Sequence, residues 1–209
     1  MMVFFDLDGT LIDSNGVWLE VDRQFVDKRG LTLTEEYCTT VGHSIFPIAA
    51  AFTKEYYHLN ESTEEIMAEW RALAQDAYAH TIPLKPGAKE LLDKLQAQNI
   101  PMALLTAGLP QLSRAALARH DLERYFQGLF FAQETGLEKR DPQVYRLAAE
   151  RFGVEPTQCV LLEDAPHNCA AARSVGFRVV GVYDDFYKNK WDLVVQNSHR
   201  TVKSLTELL

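Results

Sequence analysis

Cysteine is scarce in this chain of 209 residues, and long apolar runs are absent. The three cysteines are odd in number and show no C-x-x-C spacing, so we expect free thiols rather than a disulfide framework or a zinc site. No apolar stretch approaches the roughly 18 residues of a membrane span, and the start Met1-Met2-Val3 lacks the layout of a signal peptide. We therefore expect a cytoplasmic protein with no membrane partner.

Positive charge is also in deficit. The chain has 21 lysine and arginine residues against 29 aspartate and glutamate residues, and its formal net charge is −8. Because nucleic-acid binders usually carry a basic surface, this balance argues against a nucleic-acid partner. The length suits one substantial core, or a modest core with an inserted second domain.

Two hydrophobic patterns divide the chain. From about residue 15 to 80 the apolar residues follow helical spacing. After the turn-forming Pro83 and Pro86, short β-prone runs alternate with helices, which predicts a parallel sheet covered on both faces. The first strand, near Val3, belongs to that sheet. We therefore predict an α/β fold, with a Rossmann-like core domain at 1–14 and 82–209 and an inserted all-helical cap domain at 15–81.

Local signals mark the elements of each part. In the helical part, capping boxes are predicted at Thr32–Glu35 and Ser62–Glu65, and Ile48 is expected on a buried helix face. The aromatic side chains of this part, Trp18 among them, are expected in its core. In the other part, strands are predicted near 3–5, 102–105, 129–131, 160–162 and 178–182, followed by an apolar stretch at 193–195 and a terminal helix.

Polar side chains stand where the predicted strands end. Because parallel strands place their carboxyl ends at one edge of the sheet, these side chains are expected to meet there. Clustered acids repel one another unless a cation compensates, and Mg²⁺ suits hard oxygen ligands. The residues concerned are Asp6, Asp8, Thr106, Lys139, Glu163 and Asp164.

These residues stand in four motifs: Asp6-Leu7-Asp8-Gly9-Thr10, Leu104-Leu105-Thr106-Ala107-Gly108, Lys139, and Leu161-Leu162-Glu163-Asp164. In this order, the motifs resemble those of the haloacid dehalogenase superfamily, in its phosphatase branch with a helical cap inserted after the first strand. The resemblance covers the whole chain. Within this superfamily, the sequence is most similar to the subfamily of β-phosphoglucomutases and phosphoglycolate-type phosphatases.

The resemblance implies a Mg²⁺-dependent phosphatase that acts on a small phosphorylated metabolite, and a monomer is the simplest expectation. Asp6 would be the nucleophile, and Asp8 the general acid and base. Thr106, Ala107 and Lys139 would bind the phosphoryl group, with Lys139 neutralising charge. Asp6, Asp164, the backbone carbonyl of Asp8 and, directly or through water, Glu163 would hold the metal. In the cap, His43 and Ser44 are candidates for substrate contact.

Departures from the family pattern leave alternatives open. The lysine of the third motif is usually followed by proline, whereas Arg140 follows it here. Lys139 is nevertheless preferred to Arg140 as the motif residue, because it precedes the aromatic Tyr145 at the distance that the pattern expects. A β-phosphoglucomutase-type mutase is the alternative activity, although this family's early cap histidine is replaced near Trp18 and the region Val41–Ile45 offers no arginine for a second phosphate. An inactive binding or regulatory protein is the alternative from another class, and the intact acids argue against it.

Overall fold

The computed structural model describes residues 1–42 and 46–209, which form two compact units. The larger unit comprises Met1–Asn15 and Ile82–Leu209, and the smaller one comprises Gly16–Thr81. The chain thus leaves the larger unit once, between the first strand and the rest of the sheet.

A parallel sheet forms the centre of the larger unit. Its strand order is β3-β2-β1-β4-β5-β6, and all five neighbouring pairs are parallel. The predicted α/β fold with a parallel sheet is confirmed, but β6 was not predicted from the sequence. The strands are β1 (Met2–Phe5), β2 (Met102–Thr106), β3 (Leu129–Phe131), β4 (Cys159–Glu163), β5 (Arg178–Val182) and β6 (Arg200–Val202).

All regular secondary structure among the described residues of the smaller unit is helical. Its core contains Phe25 and Trp70, whose rings meet edge to face with centroids 5.7 Å apart. Arg29 ties the unit together because its guanidinium pairs with both Glu61 and Glu69. The helices are α1 (Val17–Asp27), α2 (Glu35–Gly42), α3 (Phe46–Tyr56) and α4 (Thr63–His80).

The structure confirms one local prediction for this unit and contradicts others. The capping box at Ser62 and Glu65 is confirmed at the start of α4. The box at Thr32 is wrong, because α2 begins at Glu35 and the hydroxyl of Thr34 accepts the hydrogen bond from the Tyr37 amide. Ile48 and Trp18 are 58% and 38% exposed, so neither is a core residue; α3 instead buries its small residues.

Helices and 3₁₀ turns connect the strands of the larger unit. The helices are α5 (Ala88–Ala97), α6 (Pro110–Arg119), α7 (Pro142–Arg151), α8 (Pro166–Ser174) and α9 (Trp191–Gln196). The apolar stretch at 193–195 lies in α9, and the predicted terminal helix is a 3₁₀ turn at Leu205–Leu208. On the sheet, the ring of Phe177 packs against those of Phe4 and Tyr145 with centroid distances of 5.5 and 5.6 Å.

The strand order determines where a ligand site can form. From β1 the chain builds β2 and β3 on one side and then returns to build β4, β5 and β6 on the other. The order therefore reverses between β1 and β4, and open α/β sheets bind ligands at the carboxyl ends of strands at such a point. No helix of the described residues is long and apolar enough to cross a membrane.

Candidate active site

Three carboxylates meet where β1 and β4 end. Asp6 directly follows β1, Glu163 is the last residue of β4, and Asp164 follows it. The parallel pairing of Phe5 with Leu162 aligns the two strand ends. All three acids are buried, and each offers a carboxylate oxygen within 4.8 Å of those of the others.

A single buried ammonium faces two of these acids. The Lys139 Nζ atom lies 2.5 Å from Asp6 Oδ1 and 2.6 Å from Glu163 Oε2. Lys139 is only 3% exposed, whereas the neighbouring Arg140 lies at the surface and pairs with Glu138. The structure thus brings Lys139 to the carboxylates and leaves Arg140 outside.

Burial and mutual repulsion control the protonation of this cluster. Burial and then the charge of Glu163 raise the pKa of Asp6 to about 7, against the opposing effect of Lys139. Burial, Glu163 and Asp6 raise the pKa of Asp164 well above its usual range, while the hydrogen bond from Asn15 lowers it. Burial disfavours the charged form of Lys139, but Asp6 and Glu163 outweigh that effect and raise its pKa. One lysine therefore does not compensate three buried acids.

The donor set of the cluster fits a divalent cation. Oε1 of Glu163 accepts hydrogen bonds from the Ala165 amide at 2.9 Å and from Asn168 Nδ2 at 3.3 Å. Oε2 of Glu163 is close to Lys139 but makes no well-aligned hydrogen bond with any of the described residues. A buried carboxylate oxygen that lacks a directed partner is a hard ligand of the kind that Mg²⁺ prefers. Asp6, Glu163 and Asp164 are therefore the residues that could hold it.

The carboxylate of Asp8 is held on one side by Ser14. The Ser14 hydroxyl donates a hydrogen bond of 2.6 Å to Asp8 Oδ1. The other oxygen, Oδ2, faces Gly108, where a methyl group in place of the glycine hydrogen would lie 2.9 Å from it. The same methyl group would lie 3.2 Å from Thr106 Oγ1. Asp8 and Thr106 thus converge on Gly108, although they come from different strand ends.

The second motif presents one hydroxyl with a free proton. Thr106, the last residue of β2, is fully buried, and its Oγ1 accepts a hydrogen bond of 2.9 Å from the Gly108 amide. The hydroxyl proton is therefore left to donate to another acceptor. Ala107 is exposed, and its carbonyl accepts a hydrogen bond from Gln133 Nε2.

Residues that sequence reasoning missed support Asp164. Its Oδ2 accepts a hydrogen bond of 2.8 Å from Asn15 Nδ2, and its Oδ1 accepts one of 3.3 Å from the Thr10 hydroxyl. Asn15 also donates to Asp184, which lies after β5. The polar run that follows the first motif could have indicated Ser14 and Asn15, but no sequence signal marks Asp184. The predicted substrate contacts His43 and Ser44 lie outside the described residues.

Comparison with known proteins agrees with this geometry. The model of the haloacid dehalogenase-like hydrolase family matches residues 1–176. A phosphorylated carbohydrates phosphatase of Thermotoga maritima is 28% identical over 181 residues, covering 86% of this chain and 84% of that protein. Hexitol phosphatase A of Escherichia coli is 30% identical over 200 residues, covering 92% and 89%.

A solved structure extends the likeness to the whole fold. A Thermotoga maritima protein provisionally assigned as a beta-phosphoglucomutase superposes with a TM-score of 0.87 at 26% identity, and the match covers 100% of both chains. The four motifs, the parallel sheet and the family match agree, and the resemblance inferred from the sequence is confirmed: this chain belongs to the haloacid dehalogenase-like hydrolase family.

Proposed function

We propose that this chain is a Mg²⁺-dependent phosphatase that hydrolyses a small phosphorylated metabolite, such as a sugar phosphate, through a covalent intermediate on Asp6. The observation that carries the proposal is the meeting of Asp6, Lys139, Glu163 and Asp164 at the sheet's switch point. The substrate class is supported by relatives named as phosphatases of phosphorylated carbohydrates and of hexitols.

Asp6 has one oxygen free to act as the nucleophile. Its Oδ1 is engaged by Lys139, which leaves Oδ2 to attack phosphorus. The bond between phosphorus and the ester oxygen breaks as the bond to Oδ2 forms. Asp8 donates a proton to the departing alcohol, and it then takes a proton from the water that hydrolyses the aspartyl-phosphate. Asp6 and free phosphate are regenerated.

Other residues stabilise the transferring group. The Thr106 hydroxyl has its proton available for a phosphoryl oxygen, and the Ala107 amide is a second candidate donor. Lys139 neutralises negative charge on Asp6 and on the phosphoryl oxygens. A bound Mg²⁺, held by Asp6, Asp164 and the Asp8 carbonyl with help from Glu163, would offset repulsion between the nucleophile and the phosphate.

The remaining features of the proposal concern the whole protein. The helical unit Gly16–Thr81 is proposed as the cap that carries substrate specificity, with His43 and Ser44 as candidate contacts. The protein is proposed to work in the cytoplasm as a monomer.

The test is phosphate release from an aryl phosphate with and without Mg²⁺. Wild type should depend on Mg²⁺, and Asp6→Asn should lose activity because an amide is a poor nucleophile. Asp192→Asn, which changes an exposed acid on α9, is the matched control and should behave like wild type. Undiminished activity of Asp6→Asn would overturn the proposal. If the proposal holds, a screen of phosphorylated metabolites ranked by kcat/KM identifies the substrate.

The mutase alternative is favoured by one specific observation, the full-length likeness to the protein provisionally assigned as a beta-phosphoglucomutase. Incubation with β-glucose 1-phosphate and a bisphosphate primer separates the two activities. Isomerisation that outpaces release of free phosphate would identify a mutase, and the reverse supports the phosphatase. If the protein bound neither Mg²⁺ nor a phosphate-mimicking fluoride, the result would instead support an inactive binding protein.

A further inference from the structure

The carboxylate of Asp164 belongs to a hydrogen-bonded chain that runs away from the cluster. Asn15 Nδ2 donates to Asp164 Oδ2 at 2.8 Å and to Asp184 Oδ1 at 3.1 Å. Lys85 Nζ then lies 2.6 Å from Asp184 Oδ2. The chain therefore reads Asp164, Asn15, Asp184, Lys85, and its two carboxylates, those of Asp164 and Asp184, are 2% and 4% exposed.

The orientation of the Asn15 amide is fixed by its two partners. Both are carboxylate oxygens, so the amide must present its NH₂ group, whose two protons are shared between them. The flipped amide would place its oxygen against two carboxylates. Because Asp184 is held separately by Lys85 and by the Phe186 amide at 2.9 Å, it is a fixed anchor for Asn15.

The backbone brings the segments that carry Asn15 and Lys85 together. Asn15 is the last residue of the larger unit before the helical unit begins, and Lys85 lies shortly after the chain returns. The two connections pair with each other, because Asp13 N donates to the Pro83 carbonyl and Lys85 N donates to the Leu11 carbonyl. At Gly9, which has φ +76°, an added methyl group would overlap Asn15 Nδ2 and Asp164 Oδ2, so the glycine leaves the space that this hydrogen bond occupies.

We propose that Asn15 and Asp184 are positioning residues that fix the carboxylate of Asp164 for the divalent cation and thereby determine the affinity of the site for it. The inference rests on the proposed function, since it assumes that Asp164 is a metal ligand. Partners that orient a metal ligand without touching the metal typically contribute about 10- to 100-fold in affinity. The contribution here acts through hydrogen bonds to an acid that already lies in the cluster.

Isothermal titration of the full-length protein with MgCl₂, without substrate, is the direct test. Asn15→Leu keeps the branched shape and the number of side-chain heavy atoms but removes both donors, so its Kd for Mg²⁺ should rise about 10-fold or more. Asn15→Ser keeps one donor, so its Kd for Mg²⁺ should lie between those of wild type and Asn15→Leu. Asp184→Asn loses the charge that pairs with Lys85 and should also weaken binding. Asn197→Leu is the matched control, because the side chain of this asparagine donates to a backbone carbonyl, that of Leu193 at 2.8 Å, rather than to a carboxylate.

A second measurement separates positioning from general damage. With phosphate release as the readout, Asn15→Leu should approach the wild-type kcat once Mg²⁺ is saturating, since Asp6, Asp8 and Lys139 are untouched. If wild type binds Mg²⁺ and the folded Asn15→Leu or Asn15→Ser variants bind it equally well, the inference is wrong and the proposed function stands. If Asn15→Leu does not fold, Asn15→Ser and Asp184→Asn decide by the same criterion. If wild type binds no Mg²⁺, the metal dependence of the proposed function fails first.

Discussion

Lys139 and Asp6 form an ion pair, 2.5 Å between Nζ and Oδ1, in which both side chains are almost completely buried. The same ammonium lies 2.6 Å from Glu163 Oε2, so one cation separates two acids that would otherwise face each other. Removing one partner from a buried pair is costly, because it leaves an uncompensated charge in a poorly solvated place. The site is therefore also a point on which the stability of the fold depends.

The variant Lys139→Ala should lose both stability and activity. We expect the free energy of unfolding at neutral pH to fall by about 3–5 kcal/mol, and kcat for phosphate release to fall by about 100-fold or more. Urea unfolding and steady-state kinetics measure the two effects. Arg140→Ala is the matched control, because this neighbouring cation is exposed and pairs only with Glu138, so it should change neither quantity appreciably. Equal effects of the two substitutions would contradict the assignment of Lys139.

Ser14→Ala should impair the proposed acid and base. The variant loses the 2.6 Å hydrogen bond to Asp8 Oδ1, so Asp8 is less well placed to protonate the leaving group. We expect kcat to fall about 10-fold for an alkyl phosphate, with a smaller fall for an aryl phosphate whose leaving group needs less protonation. Ser14→Thr keeps the hydroxyl and should restore most of the rate. A loss that is independent of the leaving group would indicate that Ser14 does not act through Asp8.

The cluster itself was predictable from the sequence, whereas the hydrogen bonds that join its supporting residues were not. Asp6, Thr106, Glu163 and Asp164 follow β-prone runs, and parallel strands place such residues at one edge by geometry alone. Asn15 and Asp184 are joined by contacts between segments 169 residues apart, and neither residue stands in a motif. The amide of Asn15 gains its role only because Gly9 leaves room beside it.

Local elements show the same division. Strand β6 is three residues long and carries Arg200 and Thr201, so it lacks the apolar run by which a buried strand is recognised. Thr32 and Thr34 could each cap α2. Which of them does so depends on the residue at which the helix begins, and that is determined by packing rather than by the local sequence. Trp18 is a large apolar residue of the kind expected in a core, but it is exposed to solvent. Hydrophobicity alone therefore does not determine burial.

Gly108→Ala should lower activity by crowding Asp8. The added methyl group would lie 2.8 Å from Ser113 Oγ and 2.9 Å from Asp8 Oδ2, closer than ordinary contacts. The backbone at Gly108 does not have the positive φ that requires glycine, so the effect would come from crowding. We expect a loss of about 1–3 kcal/mol in stability and a reduced kcat with a smaller change in KM.

Ser113 offers a way to check that explanation. Its hydroxyl is fully buried and has no hydrogen-bond partner within residues 1–42 and 46–209, so Ser113→Ala alone should cost little stability. In the double variant with Gly108→Ala, the nearest of the crowded atoms is gone, and part of the lost stability and kcat should return. Strict additivity of the two substitutions would show that the methyl group does not press on Ser113.

The helical unit contains a partly buried carboxyl, that of Asp22, whose protonation should make the stability of the protein depend on pH. The Thr53 hydroxyl donates to the Ala49 carbonyl and so accepts from the Tyr37 hydroxyl, 3.0 Å away. The Tyr37 hydroxyl shares its proton with Asp22 Oδ1, to which it donates a longer hydrogen bond of 3.3 Å. Burial raises the pKa of Asp22 to about 6 from its ordinary value of 3.8, against the lowering effect of the Tyr37 contact.

The sign of the pH dependence follows from proton binding. Between about pH 4 and 6 the folded chain holds a proton on Asp22 that the unfolded chain releases. This contribution to stability is therefore complete below about pH 4 and is lost as the pH rises through about 6. The amide introduced by Asp22→Asn cannot ionise, so this variant should be about as stable as wild type at about pH 4. At about pH 7 it should be more stable than wild type by about 2–3 kcal/mol, the equivalent of the pKa shift.

Urea unfolding followed by tryptophan fluorescence, repeated from acid to neutral pH, measures the difference in the free energy of unfolding between Asp22→Asn and wild type. Asp27→Asn, which removes an exposed acid from the same helix, is the matched control and should show no such growth with pH. A constant difference between Asp22→Asn and wild type across this range would mean that folding does not raise the pKa of Asp22. A difference that grows toward neutral pH would instead locate the buried proton on this carboxyl, because no other group changes between the two proteins.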